Sequence, residues 1–366
     1  KKQINKALAI YFKWGYKMFN NTKILLATGL LTMAGAANAG YEIELGEDHK
    51  ITFGGYIKMD ARHLNGTVST GTVTNDDYWI GYGAVVEDMT KTKFSVNETR
   101  FNTKYVNGDV TGFIEMDFLG GGGNEIISNS SHPRLRHAFI KYKDILVGQT
   151  WTTFMNTSAL AEAADFAGPL VASAFIRQSQ VRYTMGGLQV SLENPYTDKG
   201  DASQDSVPDV IAKYTFKGDW GNVSVSGLSR QLNTINGSES ALGYGIAGRI
   251  KTVGKDDLRF QIHGGDTGRY VGVVAARDLA NGFVEVEETT SVMVAYRHFW
   301  TNEMRSTAFY GTTKADIADT KRVHWGVNLF KNYNKELSFG VEVGNFEMAE
   351  VNEDTNYLQF SAKYVL

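Results

Sequence analysis

The sequence has no cysteine, which excludes disulfides and thiolate metal sites. Proline is nearly absent, four residues in 366, so few positions deny the backbone a hydrogen-bond donor. Long apolar runs are missing too. The one sizeable stretch, Ile24 to Ala36, is shorter than the roughly 20 residues a helix needs to span a bilayer. An excess of positive charge is also lacking: 37 Lys and Arg stand against 40 Asp and Glu, and nucleic acid as a partner requires a basic footprint. What the chain does have is 39 Gly, 18 Tyr, 20 Phe and 6 Trp, a mixture that suits many antiparallel strands with aromatic anchors better than a helical core.

Ile24 to Ala36 follows Lys23 and runs into Ala37-Asn38-Ala39 before Gly40. Basic, apolar and small-residue regions in that order are those of a secretory signal. We expect a signal peptide over residues 18–39 starting at Met18, cleaved after Ala39, with residues 1–17 an upstream non-native extension. A short periplasmic segment, 40–49, would precede the main domain at 50–366. Six of the 37 basic residues and none of the acids lie in 1–39, so the exported chain would carry 31 basic against 40 acidic residues, a formal charge of −9.

From Lys50 onward apolar residues recur with period two in short segments, as expected of transmembrane strands with one face to lipid and one to a lumen. Ile51, Phe53, Gly55, Ile57, Met59 and Ala61 share one face, and Thr52, Gly54, Tyr56, Lys58, Asp60 and Arg62 the other. Sixteen such segments begin near Ile51, Phe94, Val110, Arg134, Leu146, Arg177, Leu188, Asp209, Val223, Leu242, Leu258, Thr290, Arg305, Val323, Leu337 and Tyr357. Tight turns such as Lys143-Asp144 and Gly186-Gly187 alternate with long polar connections at 63–93, 120–132, 195–207 and 265–288. Short turns on one side and long loops on the other are the pattern of outer-membrane barrels. The fold class predicted is all-β, a transmembrane antiparallel β-barrel of sixteen strands. A soluble β-sandwich or β-helix would also alternate, but its aromatic outer faces and open edges would aggregate in water, whereas a barrel in lipid satisfies every backbone group. The last strand ends on Leu366, where outer-membrane barrels usually end on Phe or Trp.

The connection 152–175 follows the fifth strand and holds small residues with Glu162 and Asp165 among them. It is expected to fold inward and narrow the channel. Flanking it, Pro133-Arg134-Leu135-Arg136-His137-Ala138-Phe139, Val147-Gly148-Gln149-Thr150-Trp151-Thr152-Thr153-Phe154-Met155 and Ile176-Arg177-Gln178-Ser179-Gln180-Val181-Arg182-Tyr183 resemble the DcaP-like outer-membrane porins. Tyr296-Arg297-His298-Phe299-Trp300 adds weaker support. The resemblance implies a homotrimeric sixteen-stranded porin of the bacterial outer membrane and, for the best-known members, a preference for anionic, dicarboxylate-like solutes. Some members carry a periplasmic coiled coil before the barrel, and nothing that depends on such a segment is carried over.

Sorting charges by strand face gives an independent expectation, because wall charge sets the field an ion meets in a narrow channel. The lumen face collects Lys58, Arg62, Arg100, Lys104, Arg134, Arg136, Arg182, Lys213, Arg230, Arg249, Lys251, Arg259, Arg297 and Arg305 against Asp60, Glu98, Glu115, Asp117, Glu193, Asp209 and Glu342. A chain that is acidic overall thus has a basic wall, which favours small anionic solutes. Candidate pore-lining and constriction residues are Arg100, Arg134, Arg136, Gln149, Glu162, Asp165, Arg177, Gln178, Gln180, Arg182, Glu115 and Asp117, with Arg134, Arg136, Arg177 and Arg182 placed to grip carboxylates through a planar fork. The alternative is that these arginines pair with wall acids and hold loop and barrel in shape.

No cofactor and no metal is expected, since the seven histidines have no ligand spacing. Gly120 to Gly123 opens no helix and lacks a following Lys-Ser/Thr, unlike a phosphate loop. A barrel hydrolase would need a clustered nucleophile, base and orienting acid, and no such cluster is legible. A structural or adhesive barrel, or a single-ligand receptor working through its outer loops, is the other reading. Expected partners are outer-membrane lipid and lipopolysaccharide, the latter through divalent cations on acidic loops.

Overall fold

A computed structural model describes residues 40–69, 85–124, 126–166, 168–272 and 277–366, so the expected signal segment lies outside the described residues. The alternating segments form sixteen strands: β1 His49–Ser69, β2 in two pieces Val85–Ser95 and Arg100–Asn107, β3 Val110–Asp117, β4 Arg134–Tyr142, β5 Ile145–Trp151, β6 Arg177–Met185, β7 Leu188–Glu193, β8 Asp209–Gly218, β9 Gly221–Thr234, β10 Gly237–Lys251, β11 Asp257–Gly265, β12 Thr289–Phe299, β13 Met304–Ala315, β14 Thr320–Asn332, β15 Leu337–Met348 and β16 Glu353–Val365. Each pairs antiparallel with its neighbour in sequence, and β16 returns to β1, from Tyr56↔Val365 to Gly66↔Thr355. This closure leaves no unpaired edge, the condition for a sheet to sit in hydrocarbon. A short strand, Tyr41–Gly46, pairs with β1 below the end of β16.

The burial pattern is that of a soluble protein turned inside out. In β15, Phe339, Val341 and Val343 face outward and are exposed, while Glu342 between them is buried. In β1, Phe53 and Ile57 are exposed, while Lys58, Asp60 and Arg62 are buried.

Local sequence explains the irregularities. β2 bends at Val96-Asn97-Glu98-Thr99, yet both pieces pair with β1, and the bend brings Glu98 against Lys58 and 3.0 Å from the Tyr56 hydroxyl that donates to it. A β-bulge in the β3–β4 ladder, between Glu115 and Met116, gives β4 an extra residue. Arg136 and His137, adjacent in sequence, are consequently both buried on the inner side. The expected loop 63–93 is shorter than its pattern suggested. β1 continues to Ser69 and β2 starts at Val85, because the alternation persists through Leu64 and Val68, both buried.

The wall is uneven in height. β3 to β7 have six to nine residues, whereas β9, β10 and β13 to β16 have twelve to fifteen. At about 3.3 Å per residue the tall side rises nearly twice as far as the low one. The connection 152–175 springs from the low side, at the end of β5.

Candidate functional site: a loop-lined lumen

The 152–175 segment lies against the inner face of the barrel and is pinned by a sequence of wall side chains. Lys213 donates to the Met155 carbonyl (2.7 Å) and Asn156 donates to the Ala247 carbonyl (3.1 Å). Arg259 donates to the Leu160 carbonyl at 2.6 Å. Asn328 donates to the Glu162 carbonyl at 2.8 Å, and Lys58 and Gln359 donate to that of Ala164 at 3.0 and 2.7 Å. Arg62 pairs with Asp165 at 2.5 Å. The returning limb is held by Ser291, which donates to the Ala172 carbonyl at 2.9 Å. Outward and returning limbs together reach strands from β8 round to β1.

Apolar packing reinforces these anchors. Phe154, Met155, Leu160, Phe166, Leu170 and Phe175 cluster with Ile211 and Leu228 of the wall, each buried side chain of this size contributing about 1.5–3 kcal/mol. The small residues permit contact at backbone distance: a Cβ on Gly311 of β13 would lie 2.8 Å from the Cβ atoms of both Pro169 and Ala172.

A second connection joins the first. Val271 forms a bridge with Ala174, and the Phe175 amide donates to the Tyr270 carbonyl at 3.3 Å. This segment is fixed by Arg230, which pairs with Asp278 (2.6 Å), and by Asp209, which accepts from the Tyr270 hydroxyl (2.8 Å) and from Arg269 (3.0 Å). Burial pushes the Asp278 carboxyl up, but Arg230 and two backbone amides outweigh it and hold the group below the usual carboxylate range. Nothing in the sequence marks this second insertion: 265–288 reads as an ordinary polar outer loop. The buried pair Tyr270 and Asp278 would have been the signal, and neither belongs to any periodic pattern.

Most of the expected site residues converge on the low wall. Asp117 accepts two hydrogen bonds from Arg134, at 3.0 and 2.8 Å, and a third from Arg136 at 2.8 Å. Arg136 also donates to Glu115 at 2.7 Å. Its guanidinium carbon is 5.8 Å from the Trp151 ring centre and 5.7 Å from that of Phe166. Arg177, the register partner of Trp151, lies 4.7 Å from the same ring. Arg100 stands 5.2 Å from the Tyr56 ring and 5.5 Å from Phe166. The loop thus meets this wall through guanidinium and ring contacts, with Phe166 between Arg100 and Arg136. Two donors here, Arg100 Nε and Arg177 Nη1, have no hydrogen-bond partner among the described residues.

Gln178 and Gln180 are buried beside this cluster. With its amide oxygen toward Arg269, Gln178 accepts from that guanidinium at 2.8 Å. Gln180 donates to the Trp151 carbonyl at 3.1 Å and accepts from the Thr153 hydroxyl at 3.3 Å. Arg182 reaches the Trp151 carbonyl at 3.5 Å.

Gln149 departs from the expectation. It shares register parity with Ile145 and Val147, whose side chains are exposed on the outer face, and its amide donates back to the Leu135 and Arg136 carbonyls at 3.1 and 3.2 Å. Strand parity, which reverses from one residue to the next, places it on the outer face; Trp151 and its register partner Arg177 share that parity, but at the strand ends they pack against Arg136 and Phe175.

Glu162 is the best-anchored loop carboxylate and lies away from the low wall. Arg305 donates to it from Nε at 2.9 Å and Nη2 at 2.6 Å, and Arg297 from Nη1 at 3.1 Å. Burial alone would raise its pKa; the hydrogen bonds and charge of Arg305, with the charges of Arg297 and Arg259, instead hold it at about 2.

Comparison with known proteins agrees with this architecture. The outer membrane channel DcaP of Acinetobacter baumannii superimposes with a TM-score of 0.76 at 21% identity, over 88% of this chain and 99% of that one. An anion-selective porin from Comamonas acidovorans follows at 0.57 and 11%, over 87% of this chain and all of that one. OmpF of Salmonella typhi, in complex with daunomycin, follows at 0.56 and 16%, over 88% and 100%. No curated protein is similar enough in sequence to count as a match. The description DcaP outer membrane protein matches residues 20–346. By that match and by its closed sixteen-stranded fold, the chain belongs to the DcaP outer membrane protein family.

Proposed function

We propose that the protein is a passive porin for small hydrophilic solutes, that it favours anions, dicarboxylate-like molecules in particular, and that it works as a homotrimer. The observation that carries the anion preference is the low wall. Arg100, Arg136 and Arg177 gather there against Trp151 and Phe166, with Arg134 on Asp117 beside them, and two of these arginines leave a donor unmet among the described residues. An unmet buried donor costs about 1–3 kcal/mol, more when charged. A carboxylate presented to a guanidinium fork relieves that cost. The similarity to a channel described as anion-selective and the dicarboxylate preference of the family's best-known members point the same way.

The test is the reversal potential of purified protein in planar bilayers under a salt gradient. Anion preference is expected, reduced in Arg134→Ala and Arg182→Ala variants and competed by dicarboxylates more strongly than by monocarboxylates. Clear cation selectivity would overturn the reading.

A further inference from the structure

A second group of arginines lies where the strands meet in short turns, away from the low wall. Arg249 is two residues from the end of β10, Asp257 begins β11, Arg297 is two residues from the end of β12 and Arg305 is the second residue of β13. Asp257 and Arg297 are an ordinary opposite-sign pair across the β11–β12 ladder, but one pair departs from that pattern. Arg249 and Arg259 are directly opposite each other in the β10–β11 ladder, both on the inner face, and like charges at directly opposed positions destabilise a sheet.

Only one wall carboxylate serves this pair. Asp257 accepts from Arg249 at 3.0 Å, Arg259 at 2.6 Å and Arg297 at 2.6 Å. Glu162 of the inward loop serves Arg297 and Arg305. Four guanidinium groups therefore share two carboxylates, and Arg249 Nε has no partner among the described residues. The Arg249, Arg297 and Arg305 side chains keep 18%, 14% and 16% of their surface exposed, so three members reach solvent in part while Arg259 is buried. A structural ion-pair network balances its charges, whereas this one carries two positive charges more than it neutralises.

From this excess and the opposed arginines we propose that the Arg249–Arg259–Arg297–Arg305 group is an anion-binding site for a small, doubly charged oxyanion of the phosphate type. A dianion matches the excess in charge. Its several oxygens match guanidinium forks that one carboxylate cannot saturate. The site is separate from the low-wall cluster and does not depend on the selectivity proposed above.

Calorimetric titration of the detergent-solubilised full chain with inorganic phosphate, in a constant chloride background, tests it. Saturable binding with a dissociation constant of roughly millimolar order is expected. Arg249→Ala should weaken it by about tenfold, the equivalent of one charge-assisted contact of about 1.4 kcal/mol. Arg249→Lys keeps the charge without the planar fork and covers the case in which the alanine variant does not fold; it should weaken binding by several-fold. Absence of saturable binding would overturn the proposal. So would binding that persists in both Arg249 variants, or that is lost in Arg177→Ala and kept in Arg249→Ala. Chloride conductance of the same preparation reports on the porin reading separately, because a pore that does not conduct would sink that reading and leave the calorimetric result intact.

Discussion

The two arginine groups use the same side chain in opposite ways. On the low wall the ladder alternates sign: Arg100 is registered opposite Asp117, and Asp117 opposite Arg134. In this stretch each ladder charge faces its complement, and Arg136, delivered by the bulge, closes the remaining gap between Glu115 and Asp117, while Arg100 and Arg177 each keep a donor without a partner among the described residues. At the turn end the ladder sets Arg249 against Arg259 and relies on one aspartate and a loop glutamate. The first arrangement is held by its own ion pairs; the second is held together despite its own repulsion. Position in the sheet, more than residue type, decides how firmly an arginine is held by the wall itself.

The sharpest way to break this contrast is to delete one arginine from each group. Arg136→Ala removes a buried partner from two carboxylates, and breaking such a pair costs about 3–5 kcal/mol. Arg249→Ala removes one member of a repulsive pair while Asp257 keeps Arg259 and Arg297, so its effect should lie within about 0.5 kcal/mol of zero. Thermal unfolding of both variants in detergent measures the difference. Equal losses would show that the two groups are electrostatically alike.

The link between the regions is the inward loop, and Glu162 is its charged fastening. Its folded pKa of about 2 lies below the ordinary value of 4.5. A carboxyl depressed in this way contributes stability that is fully present above its unfolded pKa and is lost as pH falls from there through about 2. The loop should accordingly stay fastened from neutral pH down to about 3, and conductance fluctuations from a loosened loop should grow only as pH nears 2. Glu162→Gln should show those fluctuations at neutral pH, with a loss of about 1–3 kcal/mol in stability. Single-channel recording across a pH series checks both, and an unaltered trace for Glu162→Gln at pH 7 would show that the backbone anchors suffice.

Much of this was legible in the sequence and some was not, for identifiable reasons. Strand number and facing follow from period two, and all sixteen segments read from the sequence form strands. The inward loop was legible from its position after β5 and from its small residues. Its partners were not: Glu162 reaches Arg305 across 143 residues of chain, and no local rule carries that far. Arg136 was read as inward by simple alternation, but the bulge that also turns His137 inward has no sequence marker of its own. The second insertion, Tyr270 with Asp278, was hidden because a polar loop folded into a polar lumen looks like a polar loop in water.

Gln149 tests the smallest effect, because it separates family motif from strand geometry. It stands within a run that resembles the DcaP-like porins, the ground for counting it a pore candidate, yet its parity and its bonds to the Leu135 and Arg136 carbonyls put it on the outer face. Those bonds are exposed or part-buried, and a net hydrogen bond of that kind contributes about 0.5–1.5 kcal/mol. Gln149→Ala should therefore leave the reversal potential unchanged and lower stability by no more than about 1 kcal/mol. A shift in selectivity comparable to that of Arg134→Ala would mean that the ladder around Gly148, which has a φ of 127°, turns over in the membrane and that β5 presents its other face to the lumen.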